Sequence, residues 1–302
     1  MSYINELKAI CGKYGSRITE NCSLSEYVTF RFGGPCRALV SINCAEAAAE
    51  LIKFLRSKDI KYAVLGRGSN IIVPDEGFDG VVLCLNGGDF ANTEIMGNTI
   101  KCDAGALLAS VCVLAQNNSL TGMENLYGIP GTIGGALYMN AGAYGSEMKD
   151  IVVSADYLDA QGQLHTINTD KMELSYRHSI FSGTDKIITS VTVSLKDGSK
   201  DEIKAAMQEC MKKRSSKQPL EFPSAGSTFK RPEGSYASML IEQCGLKGMS
   251  VGGAEVSRKH SGFVINKGGA TCKDVLELCK KVRETVLEKT GYLLELEPII
   301  LK

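Results

Sequence analysis

The sequence predicts a mixed α and β fold in which helices and strands do not follow a simple strand–helix alternation. Three observations predict it: amphipathic helical stretches at 43–58, 201–214 and 273–289, short apolar runs of strand character between them, and two glycine-rich loops that interrupt the pattern.

The elements follow in order. In 43–58, Asn43 stands where a helix cap is needed, Glu46 follows three residues on, and Ala48, Leu51, Ile52 and Leu55 share one apolar face. Tyr62–Leu65 is a short strand that runs into the tight loop GRGSN, and Val81–Leu85 is a second apolar strand. From about 96 to 195 the chain reads as short strands and glycine turns. Within it, Ile151–Asp159 and Leu164–Ile167 form a hairpin, and Ile187–Leu195 is apolar enough to be buried. Asp201–Arg214 is helical, with an apolar face of Ile203, Ala206, Met207, Cys210 and Met211; acids open it and bases close it, matching the helix dipole. The proline-bearing stretch KQPLEFPSAGS at 217–227 is the clearest domain boundary. The last helix, Lys273 to about Lys289, is capped by Thr271 and stopped by Gly291, with Val275, Leu278, Cys279, Val282 and Val286 on its apolar face. Tyr292–Leu301 is a terminal strand.

Length and charge narrow the class. A chain of 302 residues is sized for two or three domains. Lys and Arg (34) balance Asp and Glu (34), which speaks against a nucleic-acid partner; the densest basic cluster is Lys212, Lys213, Arg214 and Lys217. A small phosphorylated ligand needs only a few local donors. No apolar run approaches the roughly 20 residues of a membrane span, and the start MSYINELKAICGKYG lacks the pattern of a secretory signal. The expectation is a cytoplasmic protein with no membrane association. The 11 cysteines are odd in number and form no C-x-x-C pair, and Cys244, Cys272 and Cys279 lack metal-ligand spacing. They read as small core residues in a reducing compartment, and no metal site is expected.

The glycines cluster at 66–68, 87–88, 128–145 and 245–269. The loop Leu65, Gly66, Arg67, Gly68, Ser69, Asn70, Ile71 and the segment GIPGTIGGALYMNAGAYG at 128–145 form the candidate cofactor cradle. From the second, Ile129, Pro130, Gly131, Thr132, Gly134, Gly135, Asn140, Ala141, Gly142 and Tyr144 are its expected contacts. Glycine lets backbone amides approach a ligand, and successive inward amides form an anion nest. A helix beginning at Ala136–Met139 is expected to aim further amides at the same phosphate. A single such loop reads best as a tight turn; two of them favour a nucleotide site. Neither is G-x-G-x-x-G nor G-x-x-x-x-G-K-[ST], so Rossmann and P-loop geometries are not supported.

These loops resemble those of the UDP-N-acetylenolpyruvoylglucosamine reductase (MurB) family. The resemblance continues through TFRFGGPC (29–36), LSYRHSIF (174–181), QPLEFPSAGSTFKRPEG (218–234), LIEQCGLKGMSVGGAEVS (240–257), KHSGFVINKGGAT (259–271) and LLELEPII (293–300), in the family's order and over nearly the whole chain. It implies an α+β protein with the FAD-binding fold of the vanillyl-alcohol-oxidase/PCMH type, in two subdomains, plus a smaller C-terminal α+β substrate-binding domain. The implied division is 1–75 (rejoined by 288–302), 76–205 and 206–287. FAD is bound noncovalently, NADPH is the co-substrate, and the chain is a monomer. The passage from LIEQCGLKG straight to GGAEVS resembles the shorter family form, which lacks a tyrosine-bearing lid loop.

The implied reaction reduces an enolpyruvyl ether, UDP-N-acetylglucosamine enolpyruvate, to the lactyl ether UDP-N-acetylmuramate. Hydride passes from NADPH through flavin N5 to the β-carbon, and charge builds on the α-carbon and carboxylate. By family position, Ser227 is the proton donor, and Arg177 and Glu297 bracket the carboxylate; an arginine fork suits a carboxylate. Tyr176, Lys217, Lys230 and Arg231 are expected substrate contacts, and Asn266 and His260 are weaker ones. Without the resemblance, Ser227 reads as a turn hydroxyl, Arg177 as a surface ion-pair residue and Glu297 as an edge charge. Another FAD oxidoreductase of the same fold, acting on a sugar lactone or hydroxy acid, and a non-catalytic nucleotide-binding regulator are the alternatives.

Overall fold

The computed structural model describes residues 3–85 and 90–302; the glycine pair 87–88 lies outside them. The chain divides into two compact units, 1–20, 38–67 and 80–212 in the first, and 21–37, 68–79 and 213–302 in the second.

In the first unit, α1 (Tyr3–Tyr14) and α2 (Ala45–Ser57) bury Leu7, Cys11, Leu51, Ile52 and Leu55 in one core with Val81 and Leu83. Strands Tyr62–Leu65 and Phe78–Cys84 pair in parallel, Tyr62 opposite Val81. The larger element is a five-stranded antiparallel sheet in the order Leu164–Asn168, Val152–Leu158, Ile187–Ser194, Thr99–Asp103, Thr93–Met96. Helices α3 (Leu108–Asn117) and α4 (Ile133–Tyr138) contribute Leu108, Val111, Ile133 and Leu137 to the same core as Ile100, Val191 and Val193.

The second unit has its own core. Helix α7 (Cys272–Thr290) lays Val275, Leu278, Cys279, Val282 and Val286 against Leu240 and Ile241 of α6 (Ala237–Gln243), and against Val256 and Val264 of a three-stranded sheet. That sheet runs Ser250–Val251, Ala254–Val256, Val264–Asn266. A short connection joins Gln243 to Ser250. Helix α5 (Lys200–Lys217) begins in the first unit, where Ile203 and Met207 join the core. Among the described residues no helix is long and apolar enough to cross a membrane.

Several expectations shift. Asn43 does not cap α2: its side-chain amide donates to Gly15 O at 2.8 Å, and Cys44 takes the cap position. Helices α1 and α3 were not read from the sequence; α3 is apolar on most sides, so it lacks the two-faced period that marks a surface helix. Ala206 is exposed although it was assigned to the apolar face of α5. The strand expected over 292–301 narrows to Ile299–Ile300, paired in parallel with Ile71–Ile72. Residues 288–302 fall in the second unit together with 21–37 and 68–79, where Leu294 is part of the core and Phe229 bridges Leu296.

The last helix has the expected ends. Thr271 Oγ1 accepts from Asp274 N, and the Asp274 carboxylate accepts from Thr271 N at 3.0 Å. Asp75 adds a second anion, accepting from Cys272 N (2.7 Å) and Lys273 N (3.0 Å) at the positive end of the dipole. Gly291, at φ 76°, terminates the helix in the left-handed region. Ten of the cysteines are buried and all are free; burial pushes Cys11 and Cys272 up to about 11, and Cys102 and Cys279 up to about 12, so they pack rather than react. Thr271→Ala is expected to lower stability by about 1 kcal/mol in urea unfolding, since it removes one half of the reciprocal cap.

Candidate active site and cofactor cradle

Thr132 is where the two glycine regions of the first unit meet. A Cβ on Gly66 would lie 2.6 Å from Thr132 Oγ1, so only glycine permits this approach. Thr132 caps α4 by accepting from Gly135 N at 3.2 Å. The preceding loop is tied in by Leu108 N to Gly131 O (3.0 Å) and Ile133 N to Ala106 O (2.8 Å).

The helix start does not offer its amides as expected. Helix α4 begins at Ile133, not Ala136. Its amides at Ile133, Gly134, Gly135 and Ala136 bond to Ala106 O, Ala104 O, Thr132 Oγ1 and Thr132 O. Among the described residues the amides of Gly66, Arg67, Gly131 and Thr132 take no protein partner, so the donors for a pyrophosphate sit ahead of the helix. Unpartnered backbone amides of this kind are the donor type that a phosphate-bearing ligand takes. Two glycines have a packing reason. A Cβ on Gly134 would fall 2.7 Å from Ala104 Cβ, and one on Gly142 would fall 2.6 Å from Ser146 O. At both, one part of the protein closes against another.

The AGAYG end is a two-residue hairpin. Gly142–Ala143 pairs with Ser146–Glu147, and Tyr144 (φ 53°) and Gly145 (φ 89°) form the corner, the backbone of a type I′ turn. Leu65 is 1% exposed and is a core residue; Ile129 packs against the first core, and Ala141 is half-buried. Asn140 is 0% exposed and its side chain is committed to the protein, so its amide does not reach for a cofactor.

The YRHS segment forms a tight turn closed by reciprocal bonds of 3.2 Å between Ser175 and His178, with Tyr176 and Arg177 at its corner. Arg177 adopts φ 55°, a left-handed conformation that a long side chain rarely takes, and its guanidinium carbon sits 4.9 Å from the Tyr176 ring centroid.

In the second unit, Ser227 and Glu297 lie on neighbouring antiparallel segments. Glu297 N donates to Thr228 O at 3.0 Å and Lys230 N to Glu295 O at 2.9 Å. The rest of the first glycine loop is here as well. Asn70 donates to Glu297 O at 3.3 Å, and Ile299 N donates to Asn70 O at 2.9 Å. Thr29, in the TFRFGGPC stretch, received no role from sequence; its amide donates to Gly68 O at 3.2 Å and its hydroxyl to Ser224 O at 2.6 Å, bracing both loops. Only the motif match marked it.

The remaining expected contacts differ in setting. Lys230 pairs with Glu295 at 3.3 Å, Arg231 stacks over Tyr236 at 4.8 Å, and Lys217 is exposed at the end of α5. Asn266 is buried, donating to Phe30 O and accepting from Gly268 N and Ala270 N, so it holds the loop rather than lining a pocket. His260 packs edge-on against Phe263 at 5.0 Å, and its Nδ1 accepts from Gly262 N. Among the described residues no His, Cys, Asp or Glu cluster is arranged to hold a metal.

Residues 36–168 match the model of an FAD binding domain, and 218–301 match that of the UDP-N-acetylenolpyruvoylglucosamine reductase C-terminal domain. The chain is 45% identical to the UDP-N-acetylenolpyruvoylglucosamine reductase of Clostridium botulinum (strain Alaska E43 / Type E3) over 91% of its length and 90% of the relative's. It is 43% identical to that of Clostridioides difficile (strain 630) over 99% and 97%. The crystal structure of the Thermus caldophilus reductase superposes with a TM-score of 0.80 at 34% identity, covering 95% of this chain and 99% of that one. Fold and cradle thus define an α+β flavin-binding oxidoreductase of the vanillyl-alcohol-oxidase type. Within that class the chain belongs to the UDP-N-acetylenolpyruvoylglucosamine reductase family. The lactone-oxidising and regulatory alternatives are not favoured, because the match at 218–301 is to the reductase's own C-terminal domain.

Two outcomes follow. Gly66→Ala drives a methyl into Thr132 and is expected to release FAD during gel filtration, whereas Gly12→Ala, which has open space around it in α1, is not. Burial, helped by the charges of Lys247 and Lys217, lowers the His260 pKa; its backbone bond and Glu242 oppose this. The fold therefore favours neutral imidazole. That stability is present above the unfolded value of about 6.5 and is lost as pH falls through the lower folded value. His260→Gln is expected to flatten the decline in melting temperature between about pH 6.5 and 5.

Proposed function

We propose that this chain reduces UDP-N-acetylglucosamine enolpyruvate to UDP-N-acetylmuramate in peptidoglycan synthesis, in the cytoplasm, with NADPH as reductant. Family membership over nearly the full length carries the reading. When bound, FAD relays a hydride between nicotinamide and substrate. Its pyrophosphate is assigned to the amides of Gly66, Arg67, Gly131 and Thr132, and substrate recognition to the region 218–301.

Addition of hydride to the β-carbon leaves negative charge on the α-carbon and carboxylate. Arg177, always charged and planar, is assigned to that carboxylate and stabilises the charge as it grows. Ser227 is assigned as the donor of the proton that completes the α-carbon. Glu297 is assigned as the acid–base partner beside it. The bond of Glu297 N to Thr228 O, which sets the Ser227 and Glu297 segments side by side, is the geometric support.

The purified protein is expected to show flavin bands near about 370 and 450 nm. A colourless protein that fails to take up FAD refutes the proposal. In Ser227→Ala, reduction of the flavin by NADPH is expected to stay fast, while reoxidation by the enolpyruvyl substrate slows by about 100-fold or more. Rapid reoxidation in that variant removes Ser227 from the proton-donor role.

A further inference from the structure

Asn140 is among the few polar side chains that are completely buried, at 0% exposure, and it sits at φ 40°. Its amide nitrogen donates to Glu147 Oε2 (2.8 Å) and to Ser175 O (2.9 Å), and its Oδ1 accepts from Lys149 N (2.9 Å). Asparagine is suited to this post: two donors and an acceptor on a short planar group, with tolerance of the left-handed region. The bonds to Glu147 and Lys149 belong to the local hairpin. The bond to Ser175 reaches 35 residues along the chain.

Ser175 O is also the acceptor for His178 N at 3.2 Å. Asn140 and His178 therefore converge on one carbonyl and fix the peptide plane that leads into the Tyr176–Arg177 corner. The far side of the loop is held separately, by Ser179 Oγ to Tyr138 O (2.7 Å) and Gly183 N to the Tyr138 hydroxyl (3.0 Å). The Arg177 conformation costs about 1–2 kcal/mol for a residue with a Cβ and persists where neighbours over-determine it.

We propose that Asn140 is a positioning residue for Arg177, holding its turn through Ser175 so that the segment carrying the cofactor loop also sets where the guanidinium stands. This rests on the assignment of Arg177 to the substrate carboxylate.

The test uses the FAD-loaded protein in Asn140→Gly, Asn140→Asp, Arg177→Ala and Asn140→Gly/Arg177→Ala forms, with each half-reaction followed by flavin absorbance. Glycine accepts the positive φ, so Asn140→Gly removes the tether without adding strain; Asn140→Asp keeps the acceptor and loses the donors. Flavin content and reduction by NADPH are expected to stay within about twofold of wild type. Reoxidation by UDP-N-acetylglucosamine enolpyruvate is expected to fall by about 10- to 100-fold, as for a small misplacement of a catalytic group. The double variant is expected to be no slower than Arg177→Ala, because both changes remove one function. Unchanged reoxidation in the Asn140 variants, multiplicative effects in the double variant, or loss of flavin from both single Asn140 variants each overturns the proposal. Fast reoxidation in Arg177→Ala would instead refute the carboxylate assignment itself.

Discussion

The approach of Gly66 to Thr132 is the constraint on which the cradle depends. One threonine closes several structures at once: it caps α4, accepts Ala136 N, and touches the glycine that ends a parallel strand. A side chain at Gly66 would collide with Thr132 and separate the loops. The cradle is thus made less by a helix dipole than by two loops brought within contact distance. The first amides of α4 hold the helix to residues 104 and 106 and are not available to a ligand.

The chemistry-bearing side chains are positioned in the same economical way. The turn carrying Arg177 is bound at one end by Tyr138 and near its corner by Asn140, both in the stretch that follows the cradle. The segments of Ser227 and Glu297 are paired through backbone bonds, and Asn70 and Thr29 bond to carbonyls on the same or neighbouring stretches. Backbone pairing sets these segments, and the buried side-chain amides of Asn140 and Asn266 hold the loops beside them. The buried cysteines stay protonated because burial disfavours the thiolate.

Much of this was legible in the residues. The cap at Thr271, the stop at Gly291 and the five-residue apolar face of α7 are local patterns, and each appears as read. The glycine loops and the reductase motifs were legible too, and they carried the family. What failed was of another kind. Asn43 had the right type for a cap, but its side-chain amide donates to Gly15 O and Cys44 takes the cap position. Gly134 and Gly142 read as glycines for a ligand's approach, and the structure gives each a packing reason as well, against Ala104 and Ser146. Asn140 looked like a cofactor contact, yet its partner is Ser175 O, far along the chain.

The sequence by itself determined the ends of the last helix, the balance of charge and the family with its flavin chemistry, because these rest on residue type and spacing along the chain. Only the tertiary structure decided which amides remain for a phosphate, why particular glycines are glycine, and what fixes the Arg177 turn. Those answers depend on which distant backbone atom reaches a donor first, and a polar group in the interior takes the partner that the fold brings to it.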